Sequence, residues 1–317
     1  MGASSPHGRV DSSRSGASIG ASYPRAGDDP PEAWLTSHPL FGAIVVTVMV
    51  AGALQATHVI ELEERVAPIV GWNLPARWVD FGFRMAMGAI VVFGVLPAIF
   101  GYLNRRPWLG SYLRHMRFGF GDDRRLTLSV IALSVTIMAV IMIGLGARFG
   151  VLRGDADFLL EDSRWFLAVL TLVPALWEEM AFRGVMLANL QQRYHPWTAV
   201  LVSATLFGVF HITNVLIEDV DQVIMGMLLA TVVAVPWGYA VVKTGSVLPG
   251  VVSHYAINLC IGLLLAPDMD PSTSAAIFGS LTLVYPTVTV LSIWFLCRTL
   301  PSRHQTIPQN AATSTLH

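Results

Sequence analysis

Three stretches of the chain place ionisable or amide side chains inside otherwise apolar runs. They read Ala175-Leu-Trp-Glu-Glu-Met-Ala-Phe-Arg-Gly184, Thr205-Leu-Phe-Gly-Val-Phe-His-Ile-Thr-Asn214 and Gly250-Val-Val-Ser-His-Tyr-Ala-Ile-Asn-Leu259. Ionisable groups in apolar helices are expensive to bury, so each is a functional candidate by default. Glu179 and Arg183 stand four apart, on one helical face, with the glutamate on the N-terminal side that favours an ion pair. Glu178 lies roughly 100° further around the same helix, so the two carboxylates are expected to point apart. With Arg183 neutralising Glu179, Glu178 is left without a partner nearby in sequence. An unpaired carboxylate in a low-dielectric chamber suits a general base. The bland alternative is a structural ion network of all three residues.

The other two stretches add neutral groups. Phe207 and His211 are one turn apart, which lets the phenyl ring pack beside the imidazole. His254 and Asn258 are also four apart and share a face. An imidazole N–H and a carboxamide N–H are the neutral donors that an oxyanion requires. Interhelical hydrogen bonding is the structural reading of the same residues. Asn214 is a candidate second partner for His211, His58 an interfacial residue, and Pro174 a kink one turn before Glu178. Glu178 should lie roughly 7 Å inside Arg183 and His254 about 12 Å inside the start of its block. His211 is expected to be deeper. These depths are compatible with one chamber open to the cytoplasmic side.

The elements that must position these residues follow from composition. Of 317 residues 54% are hydrophobic and only 13% charged, against roughly 25% charged in soluble domains. The apolar residues form eight blocks, about 40–60, 81–103, 126–145, 165–190, 198–217, 223–242, 246–265 and 275–297. Each is long enough to cross a hydrocarbon core of about 30 Å as a helix, and none alternates like a barrel strand. The expected fold is all-α, a polytopic membrane bundle of about eight transmembrane helices. Residues 1–38 and 298–317 read as loose tails too polar to order themselves. Residues 39–164 hold the first three helices, and 165–297 hold the five that carry the candidate site. No small-residue cleavage site follows the first block, which reads as an uncleaved helix rather than a leader.

Basic residues set the expected orientation. Arg105, Arg106, Arg114, Arg117, Arg124 and Arg125 follow the second block, Arg193 the fourth, Lys243 the sixth, and Arg298 and Arg303 the eighth. The alternate loops hold Glu61, Glu63, Glu64, Asp155, Asp157, Glu161, Asp162, Glu218, Asp219, Asp221, Asp268 and Asp270. Both termini are therefore expected in the cytoplasm of a multi-pass cell-membrane protein. The arginine-rich loop reads as a topology determinant, and no nucleic-acid partner is expected. Cys260 and Cys297 lack the spacing of a metal or redox motif. The absence of an internal repeat argues against a transporter.

Glu178-Glu179-x-x-x-Arg183, Phe207-x-x-x-His211 and His254-x-x-x-Asn258, in that order on apolar helices, resemble the CAAX-protease and bacteriocin-processing family of intramembrane proteases. Type II CAAX prenyl endopeptidases belong to that family. The resemblance covers about 165–265. It implies an eight-helix bundle with a membrane chamber open to the cytosol, in which Glu178 activates a water with help from His211. His254 and Asn258 would stabilise the oxyanion, and Glu179, Arg183 and Phe207 would support them. Direct attack by water fits, because no Ser or Cys nucleophile stands out and Ser253 points roughly 100° away from His254.

Glu178, His211 and His254 could instead hold a divalent ion such as Zn²⁺ in a three-ligand site. A ligating Glu178 would no longer be free as a base, and no H-E-x-x-H occurs. The metal-free glutamate mechanism is favoured, and no cofactor is expected. The expected partners are the lipid bilayer and a peptide or protein substrate in or at it. A non-catalytic membrane binding or immunity protein of the same fold is the alternative.

Overall fold

The computed structural model describes residues 34–59, 76–104, 106–149, 162–216, 219–264 and 271–300. Most of the two expected tails, the acidic loops at 61–64, 155–161 and 268–270, Glu218, Arg105 and the side chain of His58 lie outside them. Two tail boundaries shift. Trp34–Ser37 is a helical turn, with Trp34 stacked on His38 at 4.4 Å. The last helix runs on to Thr299, where Arg298 covers the Trp294 ring at 3.9 Å.

Among the described residues every regular element is helical. In chain order they are α1 (Pro39–Val59), α2 (76–99), α3 (Trp108–His115), α4 (Arg124–Phe149) and α5 (162–190). They continue with α6 (Pro196–Leu216), α7 (Val220–Thr244), α8 (Leu248–Leu264) and α9 (271–299). Each apolar block of the sequence is thus helical, and α3 is the additional short helix in the arginine-bearing connection. Five helical segments are long and apolar enough to cross a membrane: Phe81–Ile99, Arg124–Phe149, Pro196–Leu216, Val220–Thr244 and Ala275–Thr299. The other three differ for physical reasons. The described apolar part of α1 is the shorter Pro39–Ala53, α8 has 17 residues, and α5 interrupts its apolar run with Glu178, Glu179 and Arg183.

The bundle turns inside out the charge pattern of a soluble protein. Val140 and Ile143 of α4 and Leu283, Leu291 and Phe295 of α9 are exposed, whereas Glu178, Glu179, Arg183 and His254 are buried. An apolar exterior around a polar interior is what lipid solvation selects. The polar interior is organised by α5, which packs along α8 and rests on α1. Helices α6 and α7 pair with each other, while α8 and α9 both pack on α4.

Local sequence explains how these helices start and stop. The Asp123 carboxylate accepts from the backbone N–H groups of Arg125 (2.9 Å) and Leu126 (3.1 Å), capping α4. Helix α7 ends at Gly245, whose φ of 66° is the left-handed cap that glycine adopts without steric penalty. The chain then enters α8 almost at once. The Val247 N–H donates to the Arg117 carbonyl at 3.1 Å, and the Ser246 hydroxyl donates to the Gly119 carbonyl. The loop before α4 therefore holds the N-terminal end of α8, the helix that carries His254.

Candidate active site

The first half of the site lies where α5 changes its winding. The segment Asp162–Glu179 is α-helical and runs through Pro174. Met180–Met186 then widens into π geometry before Leu187–Leu190 resumes the α form. Such wide turns insert an extra residue and recur at functional sites. The expected discontinuity at Pro174 is therefore located one to three turns later, beyond the glutamates. Every residue of the π turn is buried, Arg183 included.

Glu179 and Arg183 pair as their spacing predicts, with Nη1 2.8 Å from Oε1. The approach is close but poorly aligned, since neither Nη atom makes a hydrogen bond. The guanidinium gains further stabilisation from aromatic faces, lying 4.2 Å over Phe207 and 5.3 Å over Trp237. Glu179 is fully inaccessible, whereas the side chain of Glu178 keeps 7% of its surface accessible. The two carboxylates are thus distinguished by environment, one locked in a fully inaccessible arginine pair and one buried outside it.

His254 connects them. Its Nδ1 lies 3.2 Å from Glu179 Oε1 and its Nε2 3.9 Å from Glu178 Oε2. The neighbouring glutamates do diverge around their helix, yet both border one imidazole, because the ring presents a nitrogen to each. Glu178, expected to have no partner nearby in sequence, thus has a neighbour from a distant stretch of the chain. It is the approach of α8 that supplies the partner. A carboxylate paired with arginine has no proton to donate, so Nδ1 must be the donor to Glu179. In the neutral ring Nε2 is then bare and faces Glu178.

The imidazole is held on one face by a stacked ring and by a second ring edge-on to it. Trp237 of α7 stacks on it with centroids 4.6 Å apart and planes 17° apart. Phe207 meets it edge-on at 5.6 Å and 87°. The Trp237 indole N–H donates to the Tyr285 hydroxyl of α9 at 3.1 Å.

His211 sits at the junction where α6 tightens from α-helix (Pro196–Phe210) to 3₁₀-helix (His211–Leu216). Its Nδ1 lies 2.9 Å from the Phe207 carbonyl. A carbonyl only accepts, so Nδ1 carries the proton and the neutral ring again offers a bare Nε2. His211 packs edge-on to Phe207 at 5.0 Å. Phe207 is therefore the common neighbour of His211, His254 and Arg183. Asn258 follows His254 by one turn on α8 and is half-buried, making no hydrogen bond among the described residues.

Three contributors escaped the sequence reading. Trp237 and Tyr285 read as ordinary apolar-block aromatics. Yet Trp237 lies seven residues, or about 10 Å, inside the end of α7, away from the interfacial zone where tryptophan is common. Gly250 is the third. A Cβ placed there would lie 2.5 Å from Glu179 Oε2, so only glycine lets α8 approach this carboxylate. Gly250, His254 and Asn258 form one stripe at intervals of four, a pattern visible in the sequence.

The alternative divalent-ion set does not fit these positions. Among the described residues no three His, Cys, Asp or Glu side chains gather closely enough to hold an ion.

An all-helical arrangement of the described residues, with several apolar helices around a buried Glu–Arg–His cluster, is that of a multi-pass membrane protein. Residues 161–260 match the family described as Type II CAAX prenyl endopeptidase Rce1-like. This is the intramembrane-protease family that the three motifs resemble, and the matched stretch holds all of them. No curated protein and no solved structure matches the chain.

Proposed function

We propose that the chain is an intramembrane endopeptidase that hydrolyses peptide bonds of membrane-associated proteins or peptides with a water activated by Glu178. The observation that carries this reading is the unequal treatment of two adjacent glutamates. Glu179 is fully inaccessible and paired with Arg183, while Glu178 stays outside that pair, slightly accessible and 3.9 Å from His254 Nε2. A purely structural ion network would have no reason to leave one carboxylate outside the pair.

In this mechanism Glu178 takes a proton from water as the oxygen attacks the substrate carbonyl carbon. His211, its Nδ1–H tied to the Phe207 carbonyl, directs its lone pair to position that water. The developing oxyanion receives hydrogen bonds from the Asn258 carboxamide and from His254 Nε2–H. With Nδ1–H already donated to Glu179, this Nε2–H requires that the ring enter the reaction as an imidazolium, having taken its second proton from solvent before the attack. The adjacent Glu179 carboxylate and the Trp237 face both favour that cation. Collapse of the tetrahedral intermediate breaks the C–N bond, and Glu178 returns its proton to the leaving amine.

The architecture proposed around this site has eight crossings, with both termini cytoplasmic and the chamber open to that side. The test is peptide cleavage by the purified protein in bilayer nanodiscs beside Glu178→Gln. Cleavage by the parent with loss in the variant is expected. A parent that cleaves nothing across a broad library of membrane peptides would instead be a binding or immunity protein. Equal turnover in parent and variant would remove Glu178 from the mechanism.

A further inference from the structure

We infer that Trp237, locked by Tyr285, is a positioning residue that fixes the plane of the His254 imidazole for the reaction. The inference rests on the hydrolytic reading above, but its geometry stands independently. A histidine side chain has two torsions to settle. The Glu179 contact at 3.2 Å selects which nitrogen faces the α5 carboxylates. It does not by itself fix the ring plane, because a single hydrogen bond tolerates tilting about its own axis. Trp237 supplies that second restraint, lying 17° from parallel at 4.6 Å, with Phe207 closing the side at 5.6 Å.

The indole can act as a reference plane only if it is itself immobile. It is 2% exposed, and its N–H is anchored on Tyr285, a residue of α9 that is fully buried. The plane of a ring on α8 is thus set by a residue of α7 held from α9. Trp237 also lies 5.3 Å from the Arg183 guanidinium, so one indole borders both Arg183 and His254. A ring held in one plane keeps its Nε2–H aimed at the oxyanion, a charge that exists only as the transition state forms. The contribution should therefore be read in turnover more than in substrate binding.

The experiment compares Trp237→Leu, Trp237→Phe and Tyr285→Phe in nanodiscs, each checked for a parent-like thermal transition. For Trp237→Leu we expect kcat to fall about tenfold to hundredfold with KM within about twofold, the usual scale for supporting partners. Trp237→Phe, which restores a ring face, should recover most of that loss. Tyr285→Phe, which removes the hydroxyl bonding but keeps the packing, should lower kcat about threefold or more, and it decides the question if Trp237→Leu does not fold. Unchanged kcat in Trp237→Leu, a loss confined to KM, or no recovery in Trp237→Phe would each overturn the inference. Histidine-selective NMR separates this from the function itself. In the parent, His254 should show a narrow, ring-current-shifted Hε1 resonance that moves and broadens in Trp237→Leu. If the parent cleaves nothing, the hydrolytic reading falls while this readout still decides the positioning. An unmoved resonance overturns it.

Discussion

At the residue scale, the site depends on giving two identical side chains unequal surroundings. Glu179 is surrounded by Arg183, His254 and the Gly250 backbone, while Glu178 meets only the far edge of His254. Their substitutions should therefore separate. Glu178→Gln is expected to lower turnover about 10²- to 10⁴-fold, the range for a general base, with thermal stability retained. Glu179→Gln leaves a buried guanidinium without its counter-ion, which costs about 3–5 kcal/mol and should appear as a lowered melting temperature in detergent. Asn258→Ala removes one proposed oxyanion donor and should reduce kcat about 10²- to 10³-fold with little change in KM, measured on the same peptide. A glutamate pair that responded alike to the two Glu→Gln changes would contradict this division.

At the scale of elements, the decisive contact is between α5 and α8. The π turn Met180–Met186 follows directly on the glutamates, and the N-terminal turn of α8 closes on Glu179 at Gly250. Gly250→Ala puts a methyl group 2.5 Å from Glu179 Oε2, and the shift needed to relieve it must move α8 or the Glu179–His254 contact. A destabilisation of about 1–3 kcal/mol is expected from overpacking of this kind. Turnover should fall as well, because His254 rides on the displaced helix. Parent-like melting and activity in Gly250→Ala would show that the interface yields elsewhere.

For the whole molecule, the described residues contain five helical segments that meet the length and composition of a membrane span, and further helices at the remaining apolar blocks. An even number of crossings returns the chain to the side on which it started. Topology reporters fused before Trp34 and after Leu300 should thus report the same, cytoplasmic side. Five crossings would place them on opposite sides. The exposed Val140, Ile143, Leu283, Leu291 and Phe295 side chains should accept bilayer-depth labels, whereas Trp237 and Tyr285 should not.

Helicity, the position of each apolar block and the polar residues worth attention were legible in the sequence, because each depends on composition and on helical spacing alone. The i, i+4 relation of Glu179 to Arg183 is of that kind, and so is the stripe shared by His254 and Asn258. Local spacing cannot say which helices become neighbours. The pairing of Glu178 with His254 across 76 positions of sequence, the Trp237 face on that imidazole and the Tyr285 anchor behind it arise only when α5, α7, α8 and α9 converge. The π turn was equally hidden, since no residue type within Met180–Met186 signals its wide winding, and the segment is buried against α1 and its neighbours. The sequence by itself therefore determined an apolar helical chain with misplaced charges. Tertiary structure alone decided that one imidazole borders both adjacent glutamates and that Trp237 and Tyr285 back it, because those contacts come from other helices.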